Sequence, residues 1–173
     1  KIRDKYGKDK FGQGCLLARR LVERDVRFVE VGYGGWDTHN DNFDRIPEKV
    51  PVLDKALTAL LQDLQSRGLL KKTLVVLTSE FGRSPKINER SGRDHHPAAF
   101  TTVLAGAGIK QGYVHGASDK KGHGVDKDPV RVQDFNATIA RVVGIDTEKE
   151  VFSATRRPFT VADDGEAVAE LMT

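Results

Sequence analysis

Between Val50 and Leu64 the chain sets Val50, Leu53, Leu57, Leu60, Leu61 and Leu64 at three- and four-residue intervals, and shortly afterwards runs Thr73-Leu74-Val75-Val76-Leu77-Thr78-Ser79-Glu80. Few folds accept that order. The helix must lay its leucine stripe on an apolar surface, and the β-branched run reads as a buried strand that ends on a carboxylate. An earlier run, Val26-Arg27-Phe28-Val29-Glu30-Val31, has the same strand character. Strand, helix and strand with a crossover of about forty residues predict a parallel βαβ unit. Right-handed winding then brings the carboxyl ends of both strands to one sheet edge. The expected fold class is α/β, a mostly parallel sheet flanked by helices.

The remaining elements fit around that unit. Phe11, Cys15, Leu16, Leu17, Leu21 and Val22 predict a helix over about 9–24, and Phe135, Ile139 and Val142 or Val143 a helix over Val132–Val143 stopped by Gly144. Gly68 is the expected left-handed cap of the leucine helix. Phe100–Leu104 reads as a third strand, Gly112–Gly116 as a short edge strand, 117–129 as a surface loop and Arg156–Thr173 as a peripheral tail. At 173 residues the whole is expected to be a single domain, residues 1–173.

Composition excludes several functions. With 38% hydrophobic and 31% charged residues the chain is an ordinary globular protein rather than a disordered one. The net charge of +3 comes from scattered basic residues, and aromatics are few, which argues against nucleic-acid binding. A solvated surface accounts best for the basic excess, and a basic rim for an anionic substrate is compatible with it. Cys15 is the only cysteine, so there is neither an internal disulfide nor a cysteine zinc site, and its helical setting predicts a small buried hydrophobe. No run is apolar for long enough to span a bilayer, and no signal peptide is visible. The chain opens on Lys1 within a helical pattern, and is read as a fragment of a longer protein.

Three acid-rich constellations carry the chemistry. Asp37-Thr38-His39 follows a double glycine and a tryptophan, and carboxylate plus imidazole is a ligand mixture suited to Zn, Mn or Fe. A helix cap and a histidine packed on Trp36 are the alternative. Glu80, at the end of its strand, is a ligand, a general base or a partner of Arg83, whose planar fork suits an anionic substrate group. In Arg93-Asp94-His95-His96-Pro97 adjacent histidines of an extended segment point to opposite sides, so one faces the site. A carboxylate beside it orients a ligating ring, and a solvated, charge-rich turn is the plainer reading. His115, His123 and Asp163-Asp164 are expected at the surface. The glycines at 34–35 and 106–108 lack dinucleotide-binding spacing, and no Ser or Cys stands in a nucleophile elbow. Ser79 points away from the side of Glu80.

The stretch from the helix Val50–Leu64 through Gly68 to Gly82 resembles the C-terminal half of sulfatases and other alkaline-phosphatase-like enzymes. Leu104–Ile109, Asp134–Ile139 and Gly144-Ile145-Asp146 are similar to further segments of that superfamily. Phe11-Gly12-Gln13, Gly35-Trp36-Asp37-Thr38-His39, Glu80-Phe81-Gly82-Arg83 with Pro85, and Gly92-Arg93-Asp94-His95 resemble, in order, the motifs of a bacterial sulfatase-like family, domain of unknown function 1501. The resemblance spans nearly the whole chain and implies an alkaline-phosphatase-like fold of which this is the C-terminal part.

It also implies Asp37, His39, Glu80 and His95 as ligands of a divalent metal (Zn, Mn or Ca), with Asp94 and His96 behind them and Arg83 on the substrate. The implied activity is hydrolysis of sulfate or phosphate esters of small molecules or saccharides, in a periplasmic or exported setting. The nucleophile would lie outside these residues, so the fragment itself would be inactive. Two departures stand out. The first pair is Asp-x-His rather than Asp-x-x-x-His, and Glu80-Phe81 stands where Asp-His is usual, Phe81 being unable to coordinate a metal. A scaffold, or a protein binding anions or polysaccharides without turnover, is the alternative. A truncated sheet would expose an edge and favour homo-oligomers.

Overall fold

Helix formation in this chain is encoded locally. In the computed structural model, which describes residues 1–173, α1 spans Ile2–Tyr6, α2 Lys10–Val22 and α3 Asn42–Ser66. Asp9 caps α2, its carboxylate accepting from the Gly12 amide at 2.8 Å. Gly12 is required where it stands, because a Cβ there would lie 2.1 Å from the Tyr6 carbonyl oxygen. α3 begins well before the leucine stripe and carries Pro47 and Pro51 inside it. Its end is a Schellman motif: Leu69 N donates to Leu64 O at 2.8 Å and Gly68 N to Gln65 O at 3.0 Å, with Gly68 at φ 68°. α2 closes in the same way, through Asp25 at φ 59° and the bond from Val26 N to Leu21 O.

The chain folds into two compact units. The first comprises Lys1–Thr73 and Phe81–Pro97. Its core is Tyr6, Cys15, Leu16, Ala56 and Ala59, with Phe11, Val31 and Leu60 packed against it. The small residues on α3 let α2 approach closely, and Leu16 alone contributes roughly 1.5–3 kcal/mol by its burial. Under this layer Asp63 is nearly fully buried. It accepts from Lys5 and from the Tyr6 hydroxyl, each at 2.8 Å, and lies 3.5 Å from Arg19 Nε. Burial works to raise the Asp63 carboxyl, but the bonds from Lys5 and Tyr6 and the nearby cations outweigh it and hold it low.

Two antiparallel strands complete this unit, β2 at Gly82–Ile87 and β3 at Arg93–His96, with Arg83 opposite His95 and Gly82 opposite His96. The second unit comprises Leu74–Glu80 and Ala98–Thr173. There β1 (Val75–Leu77) pairs antiparallel with β4 (Val103–Ala105), β5 (Ala117–Ser118) with β6 (Val125–Lys127), and β7 (Val151–Phe152) with β8 (Pro158–Phe159). The Asp119 carboxylate closes the β5–β6 turn by accepting the amides of Lys121, His123 and Gly124. α4 spans Val132–Val142, and Gly144 ends it in a third Schellman motif. Thr138, fully buried, receives the amide of Val168, and Asp134 that of Glu166, which pins the C-terminal segment to α4. No helix is long and apolar enough to cross a membrane.

The expected α/β architecture, a mostly parallel sheet flanked by helices in the alkaline-phosphatase-like manner, is therefore corrected. Every ladder is antiparallel, and the sheets are separate two-stranded pairs. The reason lies in what the apolar runs pack against. Val26–Val31 forms no ladder; Val31 packs against the helical core and Tyr33 stacks on Phe11, while Val26, Arg27, Phe28 and Glu30 are exposed, so the run does not form the buried strand its residues predict. The strand of the Thr73–Glu80 run is only three residues long, and pairs with a segment that follows it in sequence. Gly112–Gly116 is likewise not a strand; the short β5 begins at Ala117.

Candidate metal centre

The loop that enters α3 is held from inside by Thr38. Thr38 is completely buried, and its hydroxyl donates to Asn42 Oδ1 at 2.6 Å. With Thr38 turned inward, its neighbours Asp37 and His39 turn outward together. A stacked pair, Phe11 and Tyr33 with ring centroids 4.5 Å apart, and Lys49 over Tyr33 at 4.5 Å anchor the preceding loop to the helices.

Backbone bonds then stitch this loop to the β2–β3 turn: Asp41 N to Arg90 O, Asn42 N to Ser91 O and Arg93 N to Thr38 O, at 3.0–3.1 Å. Gly92 permits the contact, since a Cβ there would fall 2.0 Å from the His39 carbonyl oxygen. The Arg93 guanidinium donates to the carbonyls of Ser84 and Pro85 at 2.7 and 2.8 Å, holding the irregular middle of the hairpin.

These contacts deliver three ligand atoms to one place. Asp37 Oδ1 lies 3.1 Å from His39 Nε2 and 3.1 Å from His95 Nε2, and the two ring nitrogens are 3.1 Å apart. Bonds of ~2.0–2.1 Å to a zinc-like ion require ligand–ligand edges of ~2.9 Å in an octahedron and ~3.4 Å in a tetrahedron. The triangle falls between these values, so one ion could meet all three atoms at bonding distance. Behind it, His39 Nδ1 is 2.7 Å from Asp94 Oδ1. A proton on Nδ1 satisfies Asp94 and leaves the Nε2 lone pair facing the triangle.

The same oxygen of Asp37 also accepts from Arg83 Nη1 at 2.6 Å. That bond above all, and then the one from His95, holds the Asp37 carboxyl below its ordinary range. The bond from His39, and then that from Asn88, does the same for Asp94. Asp37 is thus held in the anionic form that ligation requires, and Asp94 in the form that accepts from His39. The Phe81 ring lies 4.4 Å from that of His95, at 45°, and the Arg83 guanidinium 5.8 Å from Phe81.

Of the four expected ligands, Asp37, His39 and His95 form the group. Glu80 belongs to the second unit, in the bend after β1, and is not one of the three. Asp94 stands behind His39, Arg83 on Asp37, and His96 opposite Gly82 one step along the ladder. Sequence reasoning quoted Thr38 and Gly92 within motifs without giving them a role, and passed over Asn88. A buried threonine has no signature, but an asparagine at the end of a strand, four residues before a glycine, is a turn signal.

Residues 1–172 match the family described as Protein of unknown function (DUF1501). The chain belongs to that family. No curated protein and no solved structure matches it. In this DUF1501 chain the segments Gly35–His39, Glu80–Arg83 and Gly92–His95 include the trio, the arginine bound to it and the glycine that lets the two loops meet.

Proposed function

We propose that this chain supplies a divalent metal site to a hydrolase of sulfate or phosphate esters. The carrying observation is the triangle of Asp37 Oδ1, His39 Nε2 and His95 Nε2, backed by the Asp94–His39 bond. The two ring nitrogens lie 3.1 Å apart and each lies 3.1 Å from Asp37 Oδ1, so a single cation could take the place of the protons that otherwise link the three atoms. A bound divalent ion would polarise an ester oxygen and lower the pKa of a coordinated water or hydroxyl. Asp37, His39 and His95 would hold it, and Arg83 would face the anionic group. The likeness to sulfatases would add Glu80, which belongs to the other unit and is not part of the proposed site. That likeness, to sulfatases and alkaline-phosphatase-like enzymes, rests on the motifs, and with it go the periplasmic or exported setting and the small-molecule or saccharide ester as substrate. The nucleophile is proposed to come from outside these residues.

Zinc, manganese and calcium titrations of the purified chain test the reading. One ion bound per chain, lost in His95→Ala, is the expected outcome; no binding by any of the three removes the metal. The second reading, a scaffold or anion-binding protein, draws on a specific contact: the Arg83–Asp37 ion pair already neutralises the carboxylate without any ion. It predicts no metal uptake, together with saturable phosphate or sulfated-saccharide binding that Arg83→Ala weakens.

A further inference from the structure

Asn88 stands between the two loops that build the triangle, and every polar position of its side chain is used. Its Nδ2 donates to the His39 carbonyl at 2.9 Å and to Asp94 Oδ1 at 3.1 Å. Its Oδ1 accepts from the amides of Gly92 at 2.9 Å and Arg90 at 3.0 Å. The partners fix which end is which, since a flipped amide would set oxygen against two oxygens and nitrogen against two N–H groups. The turn is further closed by Asn88 N to Gly92 O and Ser91 N to Asn88 O. One side chain therefore shapes the hairpin turn, holds the backbone of one ligand and grips the carboxylate that bonds to that ligand's ring.

We propose that Asn88 is a positioning residue that sets the tautomer and orientation of His39 through Asp94. Asp94 Oδ1 is shared between Asn88 Nδ2 and His39 Nδ1, so the amide fixes where that oxygen sits and hence which ring nitrogen carries the proton. With the proton on Nδ1, Nε2 is left as a lone pair towards Asp37 and His95. The role in metal binding rests on the metal reading above; the control of the tautomer does not.

The discriminating variant is Asn88→Asp. It keeps an acceptor for the Arg90 and Gly92 amides, so the turn can persist, but replaces the donors with an oxygen facing Asp94. Nitrogen-15 spectra of the metal-free protein, recorded above the histidine titration range, report the tautomer directly. The wild type is expected to hold His39 as the Nδ1–H form, with Asn88→Asp shifting it towards a mixture. Zinc affinity should fall roughly 10- to 100-fold, the usual cost of losing an outer-shell partner. An unchanged His39 tautomer in folded Asn88→Asp overturns the proposal. If that variant does not fold, Asn88→Ser, too short to reach Asp94, gives the same reading. A wild type that shows the tautomer shift on mutation but binds no zinc refutes the metal reading and leaves the positioning role standing.

Discussion

Asp37 Oδ1 serves three neighbours, Arg83, His39 and His95, within 3.1 Å, and small changes around it are felt at once. Gly92 is the most sensitive point, because its missing side chain is what lets the His39 backbone touch the hairpin. Gly92→Ala is expected to cost ~1–3 kcal/mol in urea unfolding, as overpacking does. It should also separate His39 from Asp94, which loss of the His39 Nδ1–H signal would show; an unchanged signal would mean that the loop shifts without consequence. At this scale the sequence was informative about residue types: Asp37, His39 and His95 stand out as metal-ligating side chains in short motifs. Asn88 and Thr38 did not stand out, since their importance lies in partners brought from 49 positions away in the first case and from the first turn of α3 in the second.

Helices and strands differ in how far they can be read. The ends of α2, α3 and α4 are written in their last residues, with Asp25, Gly68 and Gly144 taking positive φ where each helix stops. Gly68→Ala, forced into that conformation, should lower stability by about 1 kcal/mol by chemical denaturation; no loss would mean the end of α3 had refolded. Strands carry no such mark. The apolar residues of Val26–Val31 read as a half-buried strand, yet Val26 and Phe28 are exposed and only Val31 packs on the helical core. For this reason the ends of these helices were legible, while the start of α3 at Asn42 and the pairing of the strands were not.

Between the helices, Asp63 couples α3 to α1 and α2. Asp63→Asn removes the carboxylate that Lys5 and Tyr6 bond to, while Arg19 keeps its pair with Glu23, and should destabilise by about 1.5–3 kcal/mol. The Asp63 carboxyl is depressed in the folded state. Its contribution is therefore present above the unfolded value of ~3.9 and is lost as pH falls through the lower folded value. Stability of the wild type should drop in that acid window more steeply than that of Asp63→Asn, and parallel curves would show that the carboxylate carries no such linkage.

On the scale of the whole molecule, the proposed ion is linked to folding by mass action. Zinc at a hundred times its dissociation constant should add ~2.7 kcal/mol to the wild type, measured as a rise in the unfolding midpoint, and nothing to His95→Ala. The route of the chain sets when that happens. After Thr73 the backbone leaves the first unit, lays down β1 in the second, and comes back at Phe81 with the hairpin that bears Arg83 and His95. His39 and His95 are thus joined by a long excursion rather than a local turn, and closing it is expected to follow formation of the helices, whose contacts are nearer in sequence. Zinc binding followed during refolding should lag behind the helical signal. An ion at this triangle would then act as a timekeeper, arriving only when the last distant stretch of the chain has come home.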